Sequence, residues 1–235
     1  MHASDKYIIG KLWAEHEVKL HPNTFEWGGS WAGATPENPI AYDPWLLKFA
    51  YGVLMDMDSA LLIDVGANTG SFSLLPLFIP GLRCLAFEPY LYEILRRNVA
   101  LNNLQARVSV SPFALSDKFV KSDLWYPDDH KRSGRTSLVK VDGWNSMTVR
   151  TATLNSISPR QGVSLVKIDV EGWEPAVLRG GEVFLRDHAP ALIVEHKHAG
   201  WTGTAGFLEG LGYQVKDLGN HRDFYAWRKP EHAIT

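Results

Sequence analysis

The stretch LLIDVGANTG, residues 61–70, runs from buried-type aliphatic residues into an acid, two glycines and an asparagine. A short, nearly unbroken apolar run bounded by glycine reads as a strand covered on both faces, the habit of a parallel sheet. Glycine lets backbone approach a ligand closely, and a helix that follows such a turn offers free amides to an anion. In open α/β sheets ligands gather outside the carboxyl ends of the strands, where the strand order reverses. Asp64, Gly66, Asn68 and Gly70 are therefore candidate ligand-binding residues. The plainer reading is a tight turn between two packed elements.

The chain on either side supports the first reading. After residue 61 the pattern alternates: ALLIDVG, a helix carrying Leu74, Leu75 and Phe78, the strand LRCLAFEP, and a helix with Leu91, Ile94, Leu95 and Val99 on one face. RVSVSPFALSD, SLVKIDVEG and ALIVEHK supply three further strands, and Pro175 opens a helix packed through Ala176, Val177, Gly180 and Phe184. Such alternation predicts an α/β fold with a mostly parallel sheet and helices on both faces. YQVKDLG and DFYAWRK read as a terminal antiparallel pair, and residues 117–163 as a β insertion. Upstream, residues 12–18 suggest a short helix, and Asp43 and Pro44 open a helix to about residue 57 through Trp45, Phe49, Val53 and Met57. The whole, 1–235, reads as one domain: a cap and acceptor-binding region over 1–59, and a Rossmann-like core over 60–235.

The cofactor follows from spacing. The turn is G-x-N-x-G, whereas a dinucleotide fingerprint needs glycine where this chain has Asn68 and Ser71. The next strand ends in Glu88, at the separation expected of an acid that grips ribose hydroxyls. A ribose without a pyrophosphate turn suggests S-adenosylmethionine. Pro89 fixes the chain beside Glu88, and Ala114 with Leu115 are candidates to flank adenine. A nicotinamide oxidoreductase is a remote alternative.

LLIDVGANTGSFS, AFEPY, FALSD, SGRTSL, VKIDVEGWEPAVLRGGE and PALIVEH follow in an order and spacing that resembles the FkbM-type S-adenosylmethionine-dependent methyltransferases, over about residues 60–197. The resemblance implies a class I methyltransferase fold and methylation of a hydroxyl on a sugar, glycan, polyketide or similar small metabolite. It departs from the family at TLN, residues 153–155, where an aspartate is general. The competing functions are an N-methyltransferase, a methyltransferase of macromolecules, and a noncatalytic S-adenosylmethionine-binding module.

Alternation places Lys167 on the same strand face as Leu165 and Asp169, inside a covered strand. A buried ammonium needs an acid, and Asp64, Asp169 and Glu195 are the candidates. Asp169 and Glu171 close the fourth core strand, while Glu195, His196 and His198 follow the fifth. These five are the candidate catalytic residues, with Asp169 first as the group that orients the acceptor or takes its proton. The acids and histidines are also a candidate set for a divalent metal. Trp27, Trp31, Trp173 and Trp201 are candidate aromatic walls for an acceptor.

Composition narrows the partners. With 24 lysines and arginines against 26 aspartates and glutamates, the net charge is −2, which leaves no basic field for a nucleic acid. No apolar window reaches the length of a membrane span, and the first residues lack a signal-peptide layout, so a cytoplasmic enzyme is expected. Cys84, the single cysteine, reads as a small buried hydrophobe.

Overall fold

A computed structural model describes residues 7–26, 40–41, 43–57, 61–128, 135–196, 201–220 and 222–228. The strands β3 (Leu61–Val65), β4 (Arg83–Phe87), β5 (Val108–Ser111), β9 (Val163–Ile168) and β10 (Ala191–Glu195) lie parallel, and β11 (Gln214–Asp217) and β12 (Asp223–Trp227) close one edge antiparallel. The seven strands run in the order β11-β12-β10-β9-β3-β4-β5. The chain steps outward from β3 to β5 and then returns to β9 on the other side of β3, so the order reverses between β3 and β9. That is where such a sheet opens a ligand crevice.

Period-two alternation sends the side chains of each strand to two cores. Leu62, Leu165 and Ile193 join a cluster with α2 (Pro44–Met55) and α3 (Tyr92–Leu101), while Ile63, Val65, Val166, Ile168 and Val194 join the opposite one. Asp43 caps α2 as expected, its Oδ1 accepting from the Leu46 amide at 3.1 Å. The buried stripe of α2 is Leu46, Leu47, Ala50 and Leu54, rotated one residue from the predicted one. Trp45 is half exposed and stacks on Phe49 instead. Cys84 is buried, and burial pushes its thiol pKa well up.

Three expectations are corrected. Residues 12–18 form no helix: β1 (Ile8–Lys11) and β2 (Glu17–Leu20) make an antiparallel hairpin, followed by the single turn α1 (Asn23–Glu26). The helix expected after β3 reduces to turns and one 3₁₀ turn at Leu75–Leu77, because Pro76 and Pro80 leave no room for more. The helix at Pro175 splits into α4 (Glu174–Arg179) and α5 (Glu182–His188) at Gly180-Gly181. The side chain of Asn155, in the stretch that departs from the family pattern, caps α5 by accepting from the Phe184 amide at 2.9 Å.

A separate small sheet sets β6 (Ala114–Leu115) and β7 (Lys121–Tyr126) on either side of β8 (Asn145–Ala152), so it begins ahead of the expected 117–163 stretch. The last helix, α6 (Trp201–Gly210), precedes the antiparallel edge. Among the described residues no helix is long and apolar enough to cross a membrane.

At Gly180 a side chain would collide with the backbone carbonyl of Ser116, just after β6, and only backbone movement could relieve the clash. Gly180→Ala should therefore cost about 2 kcal/mol or more of unfolding free energy. Urea denaturation measures this, and an unchanged midpoint would show that the α4–β6 contact is not tight.

Candidate functional site

Register sets Asp64 directly beside Lys167, and β10 lies on the other side of β9. The Lys167 ammonium is buried, 3.3 Å from Asp169 Oδ2 and 3.8 Å from Asp64 Oδ1; it donates to the Gly66 carbonyl at 3.2 Å and faces the Phe72 ring. Burial pulls its pKa down, yet the charges of Asp169 and Asp64 win and hold it raised. The predicted pairing with Asp64 and Asp169 is present; Glu195 adds only its field.

Asp64 is fully buried, and its Oδ2 accepts from the Ser73 hydroxyl at 2.6 Å. Burial raises its pKa against the pull of Lys167 and Ser73. Its counter-charge inside the fold is the Lys167 ammonium. The glycines are likewise explained from within. At Gly66, with φ +73°, a Cβ would strike the Asp169 carbonyl, and at Gly70, with φ +104°, the Leu95 side chain. The loop is therefore drawn tight against the end of β9 and against α3.

Asn68 sits at φ +54°, and its amide donates to Glu88 Oε2 at 2.8 Å. Glu88 Oε1 accepts from the amides of Tyr90 and Leu91 at 2.8 and 2.9 Å, across Pro89. Glu88 is buried, which raises its pKa against these three hydrogen bonds. Two carboxylate oxygens hold about four acceptor positions, so Oε2 keeps one for a further donor. Ala114 and Leu115 are buried in β6, paired with Thr151 and Ala152.

Three acids converge at the ends of β9 and β10: Asp169, Glu171 and Glu195 each bring a carboxylate oxygen within 4.8 Å of the others. Burial alone would raise Asp169, but Lys167, a hydrogen bond from Glu195 and the more distant Arg222 outweigh it and hold its carboxyl below the ordinary range. Glu195 moves the opposite way. Burial first, then the charges of Asp169 and Glu171, push it up to about 9, although Arg222 lies 3.0 Å from Oε1. Asp169 is 34% exposed and Glu195 2%. The two environments push the pair apart, the more exposed Asp169 toward the ionised form and the buried Glu195 toward the protonated one. The same three acids form an oxygen set that suits a hard divalent cation.

Glu171, at φ +53°, is held in place by residues that sequence reasoning missed. Glu174 accepts from the amides of Val170 and Gly172 at 2.9 and 3.1 Å, and the Ser137 hydroxyl donates to the Glu171 carbonyl at 2.8 Å. Burial pushes Glu174 up to about 7. Its signal lay in the EGWEP run, where an acid just before a first-turn proline is placed to cap the loop it leaves. Arg222 and Ser73 had no comparable signal. His196 is not part of the acid cluster: its Nε2 lies 3.7 Å from Asp217 and its ring stacks on Phe224. His198, Trp27, Trp31 and the side chain of Trp201 lie outside the described residues. Trp173 is half-buried against the core, its indole N–H donating to Ser116 Oγ at 3.1 Å.

A parallel sheet reversing between β3 and β9, with acids at the ends of β4, β9 and β10, forms a crevice suited to a ligand. Residues 64–224 match the Methyltransferase FkbM domain. The chain belongs to the FkbM methyltransferase family. Methyltransferase sdnD of Sordaria araneosa is 30% identical over 178 residues, 61% of this chain and 69% of that protein. The crystal structure of methyltransferase FkbM from Methylobacillus flagellatus KT superposes with a TM-score of 0.50 at 19% identity, over 72% of this chain. The chain spans 44% of that solved protein. The class I methyltransferase fold and the methyltransferase family are common to all of these.

The Glu195 shift links the site to stability. Its pKa is about 9 when folded and near the ordinary 4.5 when unfolded, so between these values the folded chain holds the extra proton and stability falls as pH rises. Glu195→Gln keeps the protonated shape at every pH. The melting temperature of this variant relative to wild type should climb from about pH 5 to about pH 9. A gap independent of pH would show that Glu195 does not hold that proton.

Proposed function

We propose that the chain binds S-adenosylmethionine in the crevice over residues 66–70 and methylates a hydroxyl of a small molecule or glycan, with Asp169 as the base. The observation that carries this reading is the Asp169–Glu195 pair, a carboxylate kept ionised by Lys167 at the mouth of the sheet's reversal. One feature fits the cofactor: the further acceptor position on Glu88 Oε2, suited to a ribose hydroxyl. When bound, S-adenosylmethionine supplies an electrophilic methyl carbon whose bond to sulfur breaks, with the electron pair staying on sulfur. Asp169 orients the acceptor hydroxyl and takes its proton as the new carbon–oxygen bond forms. Glu195, its carboxylate close beside that of Asp169, would hold a proton there. The net charge of −2 supports a small acceptor over a phosphate-rich one. Residues 1–59 and the 117–163 insertion are proposed to shape the acceptor pocket.

A second reading rests on the convergence of Asp169, Glu171 and Glu195, which would hold a divalent cation to polarise the acceptor oxygen. The experiments separate the two. Calorimetric titration should show binding of S-adenosylhomocysteine and none of a nicotinamide dinucleotide. Screening labelled methyl transfer against glycans, glycosides and macrolides identifies the acceptor. With that acceptor, Asp169→Asn should lower kcat by about 10² to 10⁴ with little change in cofactor affinity. Activity lost to a chelator and restored by magnesium would favour the metal. A full rate in Asp169→Asn would show that positioning alone carries the reaction.

A further inference from the structure

The apolar face of α3 contains two polar interruptions. Asn98 and Asn102 lie one turn apart among Leu91, Leu95 and Val99, both buried. Asparagine is a mediocre helix former, and a buried amide is costly unless its hydrogen bonds are made. Those of Asn98 are all made, and all to distant segments. Its Oδ1 accepts from the His21 amide at 2.7 Å and the Thr24 hydroxyl at 3.2 Å. Its Nδ2 donates to the Thr69 carbonyl at 2.8 Å and to Thr24 Oγ1 at 3.0 Å.

Thr69 belongs to the tight turn at the end of β3, next to Asn68. Asn68 holds a left-handed conformation that costs energy unless its surroundings enforce it. On one side the turn is held by the Asn68 amide on Glu88, and on the other by Asn98 on the Thr69 carbonyl. The Asn98 side chain in turn takes its orientation from His21 and Thr24, residues more than 70 positions away in the chain.

We infer that Asn98 is a positioning residue for the cofactor loop, and that the N-terminal segment at His21 and Thr24 holds Asn98 in the pose that fixes the loop at Thr69. This rests on the reading that S-adenosylmethionine lies over residues 66–70. Its consequence is that a segment assigned to acceptor binding also sets cofactor affinity. Asn102 provides the internal contrast. It accepts from the Lys19 amide at 2.9 Å and donates to the Lys19 and Asn98 carbonyls at 2.7 and 2.8 Å, tying the hairpin to the helix with no hydrogen bond to the loop.

The test uses the full chain with S-adenosylhomocysteine as probe, read by calorimetry, thermal melting and hydrogen exchange. Asn98→Asp keeps the size but turns a carboxylate oxygen toward the Thr69 carbonyl, so the dissociation constant should rise about tenfold. Amides of residues 67–70 should exchange faster even without ligand. Thr24→Val, which leaves the Thr69 bond in place, should shift both readouts the same way by a smaller factor. Asn102→Asp should lower the melting temperature and leave affinity and loop exchange unchanged. Wild-type affinity and loop exchange in folded Asn98→Asp, or in Thr24→Val should Asn98→Asp not fold, would overturn the inference. So would an Asn102→Asp protein weakened as much as Asn98→Asp. If the wild type takes up no S-adenosylhomocysteine while loop exchange still responds to Asn98→Asp, the cofactor reading fails and the loop support stands.

Discussion

A lysine ammonium sealed under the centre of a parallel sheet is the constraint from which the rest of the site follows. Left unpaired, Lys167 would cost several kcal/mol, so the surrounding chain is arranged to satisfy it. Asp64 is drawn fully inside as one counter-charge and needs the Ser73 hydroxyl for its other oxygen. The Gly66 carbonyl turns down onto the ammonium, in a turn whose left-handed φ at residue 66 suits glycine. One cation thus joins β3, the turn that leaves it and the end of β9. The residues that first suggest a ligand loop are shaped as much by this buried charge as by any ligand.

The same cation sorts the acids above it. Carboxyl groups whose oxygens lie within 4.8 Å of one another cannot both ionise cheaply, so the surroundings decide which of them keeps the proton. Lys167 lies 3.3 Å from Asp169, and Asp169 is partly open to solvent. Glu195 is buried, and Arg222 does not compensate for that burial and for the neighbouring negative charges. The surroundings therefore favour the proton on Glu195 and the charge on Asp169. Lys167 thereby favours Asp169 as the charged member of the pair.

The core was legible because its signals are local and redundant. The aliphatic strands β3, β9 and β10 are buried along their whole length, and acids at strand ends are informative in any parallel sheet. The failures have equally local causes. In residues 12–18 the apolar spacing fits a helix, but the chain reverses through Ala14 at φ +39°, a turn made without glycine. The prolines at 76 and 80 and the paired glycines at 180–181 break helices that apolar periodicity alone would continue. Asn98 could not have been read at all. Its partners are brought to it by tertiary structure alone, and a polar residue on an apolar stripe looks the same whether it serves a purpose or interrupts one.

The acids of this site illustrate the limit most directly, since Glu88, Glu174, Asp169 and Glu195 all stand at the ends of core strands or in the loops that leave them, in nearly interchangeable sequence contexts. What separates them is how their oxygens are spent. Glu88 and Glu174 accept from backbone amides on both sides of a loop, Asn68 with Tyr90 and Leu91 in one case, Val170 with Gly172 in the other. They act first as staples, and a ligand reaching Glu88 must use the acceptor position left over on Oε2. Asp169 and Glu195 face each other and two cations instead, so their oxygens answer to charge and protonation rather than to loop geometry. A carboxylate saturated by amides holds shape, whereas one balanced between a proton, an ammonium and a neighbouring acid can change state. On that physical ground Asp169 is the group proposed for proton transfer, and Glu88, with its remaining lone pair, the one proposed for binding.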